Sequence, residues 1–175
     1  MRSEWVYRHD IENPKAKDLL VFHEEDETFS VSVRESKSTE YIFISSYSTL
    51  TSEHQFVKAT HPLDAFQMIQ PRTRGLEYSV AQYQEHFYIL NNDNNATNFK
   101  ISKAPVANPG LEYWEDLYPH REEVLLEDFE IFKDYFVITE RQNGLEAIKI
   151  QRWDGTLEYF LPVDGETYSL YGGFN

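Results

Sequence analysis

The side chains with chemistry to offer are six histidines (His9, His23, His54, His61, His86 and His120), 30 Asp and Glu, and the serines. Their spacing decides what they can build. A serine nucleophile needs Gly-x-Ser-x-Gly, because the glycines permit the strained strand-to-helix turn that exposes the hydroxyl. That pattern is absent, and no serine follows Gly172-Gly173. No two histidines stand at His-Glu-x-x-His or His-x-His spacing, which would set two imidazoles around one metal. They read as surface or strand-end residues. The chain has no cysteine, so disulfides, thiolate metal sites and a cysteine nucleophile are excluded.

Two polar runs deserve the same test. His23-Glu24-Glu25-Asp26-Glu27 offers oxygen ligands to a cation but lacks the glycine and ligand spacing of a calcium loop. It reads as a solvated inter-strand loop. Asn91 to Asn98 has no bidentate carboxylate at the required offset and reads as a polar hairpin. Asn95-Ala96-Thr97 fits the glycosylation pattern, which carries little meaning in a chain read as cytosolic. Glu127, Asp128, Glu130, Asp134 and Glu140 would attract cationic peptides if they faced a tunnel. Alternation favours the plainer reading, in which many are solvent-facing strand residues. The expectation is a chain with no catalytic, cofactor-binding or metal-binding residue, and no cofactor.

Composition bounds the rest. Within 175 residues, 41% are hydrophobic, with 12 Phe, 12 Tyr and 3 Trp, enough for the packed core of one domain. A net charge of -14 disfavours nucleic acid and anionic membrane as partners and favours cationic peptides, although acidity also simply confers solubility. No apolar run is long enough to span a bilayer, and the N-terminus has no apolar signal core, so the expected location is the cytoplasm.

The elements that would position these residues are short strands, since apolar and polar residues alternate with period two. Helical signal is confined to Asn13-Pro14-Lys15-Ala16-Lys17, which could form one turn. The strands repeat. Tyr41-Ile42-Phe43-Ile44-Ser45, His86-Phe87-Tyr88-Ile89-Leu90 and Tyr135-Phe136-Val137-Ile138-Thr139 start 45 and then 49 residues apart. Phe56, Ile101 and Ile150 keep the same two intervals, as do Lys58, Lys103 and Arg152.

Leading strands are expected at Phe29 to Arg34, Leu76 to Ala81 and Leu125 to Phe132. Trailing strands are expected at Ala65 to Ile69, Tyr113 to Tyr118 and Leu157 to Leu161. Turn chemistry falls between them, including Gln142-Asn143-Gly144 and Asp154-Gly155-Thr156. Four antiparallel strands in about 40 to 50 residues make a propeller blade; a β-sandwich with a coincidental period is the alternative.

The expected fold is all-β: a β-propeller fragment of about three complete four-stranded antiparallel blades plus flanking strands of two further blades. Residues 1–27 hold the last strands of a preceding blade (Glu4 to His9, Asp18 to His23). Blades follow at 28–71, 72–119 and 120–163, and 164–175 opens a further one with Glu166 to Tyr171.

In its wording the sequence resembles the propeller of oligopeptidase B (protease II), within the prolyl oligopeptidase family. The matching stretches include Val6-Tyr7-Arg8-His9, Leu20-Val21-Phe22-His23-Glu24-Glu25, Glu77-Tyr78-Ser79, Trp114-Glu115-Asp116-Leu117 and, most specific, Glu140-Arg141-Gln142-Asn143-Gly144-Leu145. The resemblance implies a parent with an α/β-hydrolase carrying a Ser-Asp-His triad, covered by a seven-bladed propeller that admits short peptides cut after Arg or Lys. The triad and the acidic specificity pocket lie in the hydrolase domain, so none of these residues carries over. The implied partners are that hydrolase domain and short basic peptides. Open blade faces at both ends further predict self-association of this chain alone. A stand-alone binding module is the rival reading, and a hydrolase with a cryptic site is a weaker third.

Overall fold

The computed structural model describes residues 2–163. β1 (Trp5–Arg8) and β2 (Leu19–His23) form a two-stranded antiparallel sheet. Three four-stranded antiparallel sheets follow in strict chain order. Blade 1 contains β3 (Ser30–Glu35), β4 (Tyr41–Tyr47), β5 (Ser52–Lys58) and β6 (Gln67–Gln70). Blade 2 contains β7 (Tyr78–Tyr83), β8 (His86–Asn91), β9 (Lys100–Pro105) and β10 (Glu115–Tyr118). Blade 3 contains β11 (Val124–Ile131), β12 (Tyr135–Gln142), β13 (Leu145–Arg152) and β14 (Glu158–Phe160). This is a β-propeller fragment, as expected. The strand expected at Glu166 to Tyr171 lies outside the described residues.

The repeat reads directly as geometry. Successive side chains on a strand point to opposite faces. The second strand of each blade is apolar on both faces because it is covered on both. In blade 2, Phe87 and Ile89 pack toward Tyr41, Phe43 and Phe56 of blade 1. Tyr88, Leu90 and Ile101 pack toward Leu126, Phe129, Phe136 and Ile138 of blade 3. The repeated position Phe56, Ile101, Ile150 lies on the far face of each blade. Where a next blade covers it, exposure is 3% and 0%; Ile150, with no blade described beyond it, is only half-buried.

Loop length adjusts the register without changing faces. Tyr41 pairs with Lys58 and Tyr135 with Arg152. In blade 2 the longer connection 92–99 sets Lys103 opposite Tyr88 instead of His86. A shift of two residues keeps every side chain on its face. Asn143 and Gly144 close β12–β13 with φ of 51° and 79°, the two left-handed residues of a type I′ hairpin.

Two local expectations differ. Asn13 to Lys17 is a turn and not a helical one: the Ala16 amide donates to the Asn13 carbonyl (2.8 Å), and nothing propagates it. One hydrogen bond cannot offset the cost of nucleating a helix. The strand expected from Tyr113 starts at Glu115, after a 3-10 turn over Leu111–Tyr113 that seats Trp114 against the blade 1–blade 2 core.

Candidate functional site

The first strand of each later blade lies against the blade before it. β5 touches β7, and β11 touches both β7 and β8. The Arg34 guanidinium of β3 donates to the Val80 carbonyl of β7 and lies 4.4 Å from the Phe43 ring centre. The β3–β4 turn reaches further. Ser38 Oγ and Glu40 Oε2 (3.0 Å) both bond the buried Gln82 side chain of blade 2. From the same turn, Lys37 Nζ meets Glu130 of β11 at 2.6 Å and sits 4.3 Å from the Phe132 ring centre. One turn of blade 1 therefore ties all three blades at one end.

The five acidic residues singled out in the sequence are mostly neutralised. Glu127 is held by Arg141 (2.7 Å), Glu130 by Lys37, and the buried Glu140 by Arg121. Asp134 is exposed in the β11–β12 turn. Asp128 accepts the Phe129 amide at 2.8 Å. Burial pushes its carboxyl above the ordinary range, assisted by the charge of Glu130. Three of the five acidic residues thus carry a paired cation and do not form a bare acidic surface.

The run at His23 is divided by the fold. His23 stacks on Trp5, with ring centres 3.4 Å apart. Glu24 turns inward and takes both arms of Arg72 (3.2 and 2.6 Å), which also meets Glu53 at 3.1 Å. Burial pushes the Glu24 carboxyl up, but the bond from Arg72 and the Asp26 amide outweigh it and leave it below the ordinary value. No group of three metal-ligating side chains occurs among the described residues. The asparagine run is structural: Asn91 bonds Ser102, Asn92 bonds Glu77 and Gly75, and Asn98 bonds the carbonyls of Arg121 and Glu122.

Sequence reasoning read His54 as a surface or strand-end residue; it lies within β5, buried between blades 1 and 2. Nε2 donates to the Tyr78 carbonyl (2.8 Å), and Nδ1 accepts from Ser45 Oγ (2.7 Å). The Tyr78 hydroxyl accepts the His54 amide (3.0 Å) and donates to the Gln70 carbonyl (2.6 Å). Alternation had hinted at this position, since Phe56 shares its strand face, but no local signal supplied the partners. Burial depresses the His54 pKa to about 4, with Arg34 adding to the effect and the Tyr78 carbonyl and Glu53 opposing it.

A depressed histidine leaves the unfolded chain with more protons as pH falls through the unfolded value of 6.5. Stability is therefore expected to drop between pH 6.5 and about 4, by roughly 3 kcal/mol at most. Urea titrations across that window check it, and His54→Gln should flatten the slope above pH 5, before most carboxylates titrate.

A sheet stack of this kind admits comparison with known proteins. The sequence profile described as "Prolyl oligopeptidase, N-terminal beta-propeller domain" matches residues 2–172. The chain belongs to the prolyl oligopeptidase family. Within that family it is similar to dipeptidyl aminopeptidase BI of Pseudoxanthomonas mexicana, 34% identical over 168 residues, 96% of this chain and 23% of the relative. Protease 2 of Moraxella lacunata is 31% identical over 153 residues, covering 87% and 22% of the two chains. The solved oligopeptidase B from Trypanosoma brucei, in a closed form with covalently bound antipain, superposes with a TM-score of 0.86 at 25% identity. That superposition covers 94% of this chain and 24% of the solved one. The family's oligopeptidase B-like propellers are therefore its kin, and the chain spans about a quarter of the full length of these relatives.

Proposed function

We propose that this chain works as the non-catalytic, substrate-gating part of an oligopeptidase B-like serine peptidase that cleaves short peptides after Arg or Lys. The carrying observation is the family membership joined to the open stacking. Blade 2 is covered on both faces, while the far face of blade 3 exposes Tyr135 and Tyr159 and the outer face of β1–β2 exposes Trp5, Tyr7 and Leu20. β1 touches β3 as β5 touches β7, which supports reading 1–27 as the closing strands of a preceding blade and 28–71, 72–119 and 120–163 as whole blades. On the same reading 164–175 opens the next.

The gating mechanism is steric. Stacked blades joined by the Lys37 turn hold a fixed width, so an extended peptide passes and a folded protein does not. The partner is a hydrolase domain, and the working location is the cytoplasm. No helix among the described residues is long and apolar enough to cross a membrane.

Alone, the chain should release nothing from an arginine-terminated chromogenic peptide, and an antibody against it should detect a species far larger than 20.7 kDa in its source cells. Release that a serine-directed inhibitor stops would overturn the inactive, gating reading. A native species of 20.7 kDa would favour a stand-alone binding module.

The open sheet faces also support self-association of the isolated chain, because exposed apolar patches of more than about 400 Å² tend to find partners. Sedimentation velocity should show dimers or larger species that dissociate on dilution. A monomer at every concentration would count against it.

A further inference from the structure

Where the three blades converge at the end away from the Lys37 turn, a groove of about 470 Å³ opens among residues of all three. Blade 1 contributes Tyr47, blade 2 contributes Glu77, Ser79 and Phe99, and blade 3 contributes Leu125 and Glu127. The volume lies within the range of small-ligand clefts, roughly 300 to 1,000 Å³. Two features set it apart from the other concavities. Its lining contains two carboxylates and no cation. Glu127 is bridged by Arg141, but Glu77 accepts only the neutral Asn92 amide (3.3 Å) among the described residues, so its charge stands uncompensated beside an apolar wall.

The second feature is backbone strain. Phe99 sits at φ of 60°, in the left-handed region that a side chain of this size enters at a cost of about 1 kcal/mol. The Phe99 amide donates to the Ala96 carbonyl (2.8 Å), and in that posture the ring packs against the blade 2–blade 3 core while lining the groove. Tyr47, on the opposite wall, keeps 48% of its surface exposed with no ring partner among the described residues.

We infer that this groove holds a short peptide segment in which a basic side chain follows an aromatic or aliphatic one. Glu77 pairs with the cation, while Tyr47, Phe99 and Leu125 take the apolar neighbour and the Ser79 hydroxyl is left for the peptide backbone. The inference rests on the reading that basic peptides pass this domain, and adds where one is held before it moves on. An acidic or wholly polar segment would meet Glu77 with the wrong charge or leave the apolar wall uncovered.

The test is fluorescence anisotropy of a fluorescein-labelled Phe-Arg-Phe-Arg peptide titrated with the full chain at low salt, kept dilute to limit association. Saturable binding is expected, weakened about fivefold by Glu77→Gln and about threefold by Tyr47→Ala. Both positions are partly exposed, and glutamine can still accept from Asn92, so thermal melts should match the unaltered chain. Glu122→Gln, outside the groove lining, should leave binding unchanged.

No saturable binding would overturn the inference, as would equal binding of Phe-Glu-Phe-Glu or equal weakening by Glu122→Gln. Because the readout is binding and not hydrolysis, those failures leave the gating reading intact. A chain that cleaves the chromogenic peptide by itself would fail that reading instead.

Discussion

Replacing Arg72 by leucine is expected to cost about 3 kcal/mol of folding stability, a large effect for a single charge. The physical reason is what remains behind. Side-chain exposure is 4% at Glu24 and 11% at Glu53, and Arg72 is the cation that compensates both. Removing the guanidinium strands two carboxylates where water cannot hydrate them. It also removes the bidentate contact with Glu24 and the cover Arg72 provides at 4.0 Å over the Phe29 ring. Since Arg72 itself keeps 30% of its surface in water, the loss should fall at the lower end of the range for broken buried pairs, about 3 to 5 kcal/mol.

Two controls identify the cause. Combining Arg72→Leu with Glu24→Gln and Glu53→Gln should restore most of the loss, because no buried charge is then left unpaired. The deficit of the single variant should also shrink as pH falls below about 5, where stranded carboxylates take up protons. Urea denaturation at pH 7 and pH 4.5 reads both. A deficit that neither the triple variant nor acid relieves would show that Arg72 stabilises by packing alone.

Phe87→Ala should destabilise by about 3 to 5 kcal/mol, and unevenly. Phe87 has no exposed surface and meets the rings of Tyr41, Phe43 and Phe56 at 6.2, 6.0 and 4.9 Å. Three of its neighbours belong to blade 1, so the cavity opens on the joint between blades. In a stack where each unit contacts only its neighbours, stability is a sum of unit and interface terms. Weakening one interface should therefore uncouple blade 1 from the blade 2–blade 3 pair.

The tryptophans report on the two joints separately. Trp114 packs on the blade 1–blade 2 core, and Trp153 stacks on Tyr83 at 4.6 Å within the blade 2–blade 3 core. In Phe87→Ala, the Trp114 signal should change at lower urea than the Trp153 signal, each followed after replacing the other two tryptophans by phenylalanine. Coincident transitions would mean that the blades unfold as one unit, and the cost would be shared by the whole stack.

Much of this architecture is legible in the linear order of residues. A side-chain period of two is a local property of strands, so Tyr41-Ile42-Phe43-Ile44 had to be covered on both faces wherever it lay. The recurrence of Phe56, Ile101 and Ile150 marked one face of three equivalent sheets before any coordinates were needed. Asn143-Gly144 announced its turn because few other pairs tolerate two successive left-handed residues. The resemblance to oligopeptidase B propellers was legible for the same reason, as it rests on strand and turn wording in order along the chain.

Only the tertiary structure decided which charges meet. Glu24 belongs to an acidic run that reads as solvated, yet it is buried because Arg72 arrives from 48 positions away. Lys37 and Glu130 are 93 positions apart, and the groove at Glu77 exists only because three blades stack at one end. His54 alternates like any strand residue, and its neutral state follows from its burial against the next blade. Period and turn chemistry act over a few residues and are written in the chain. Ion pairs, buried titrating groups and clefts depend on how whole sheets pack, where energies of a few kcal/mol are set by neighbours that the sequence does not place side by side.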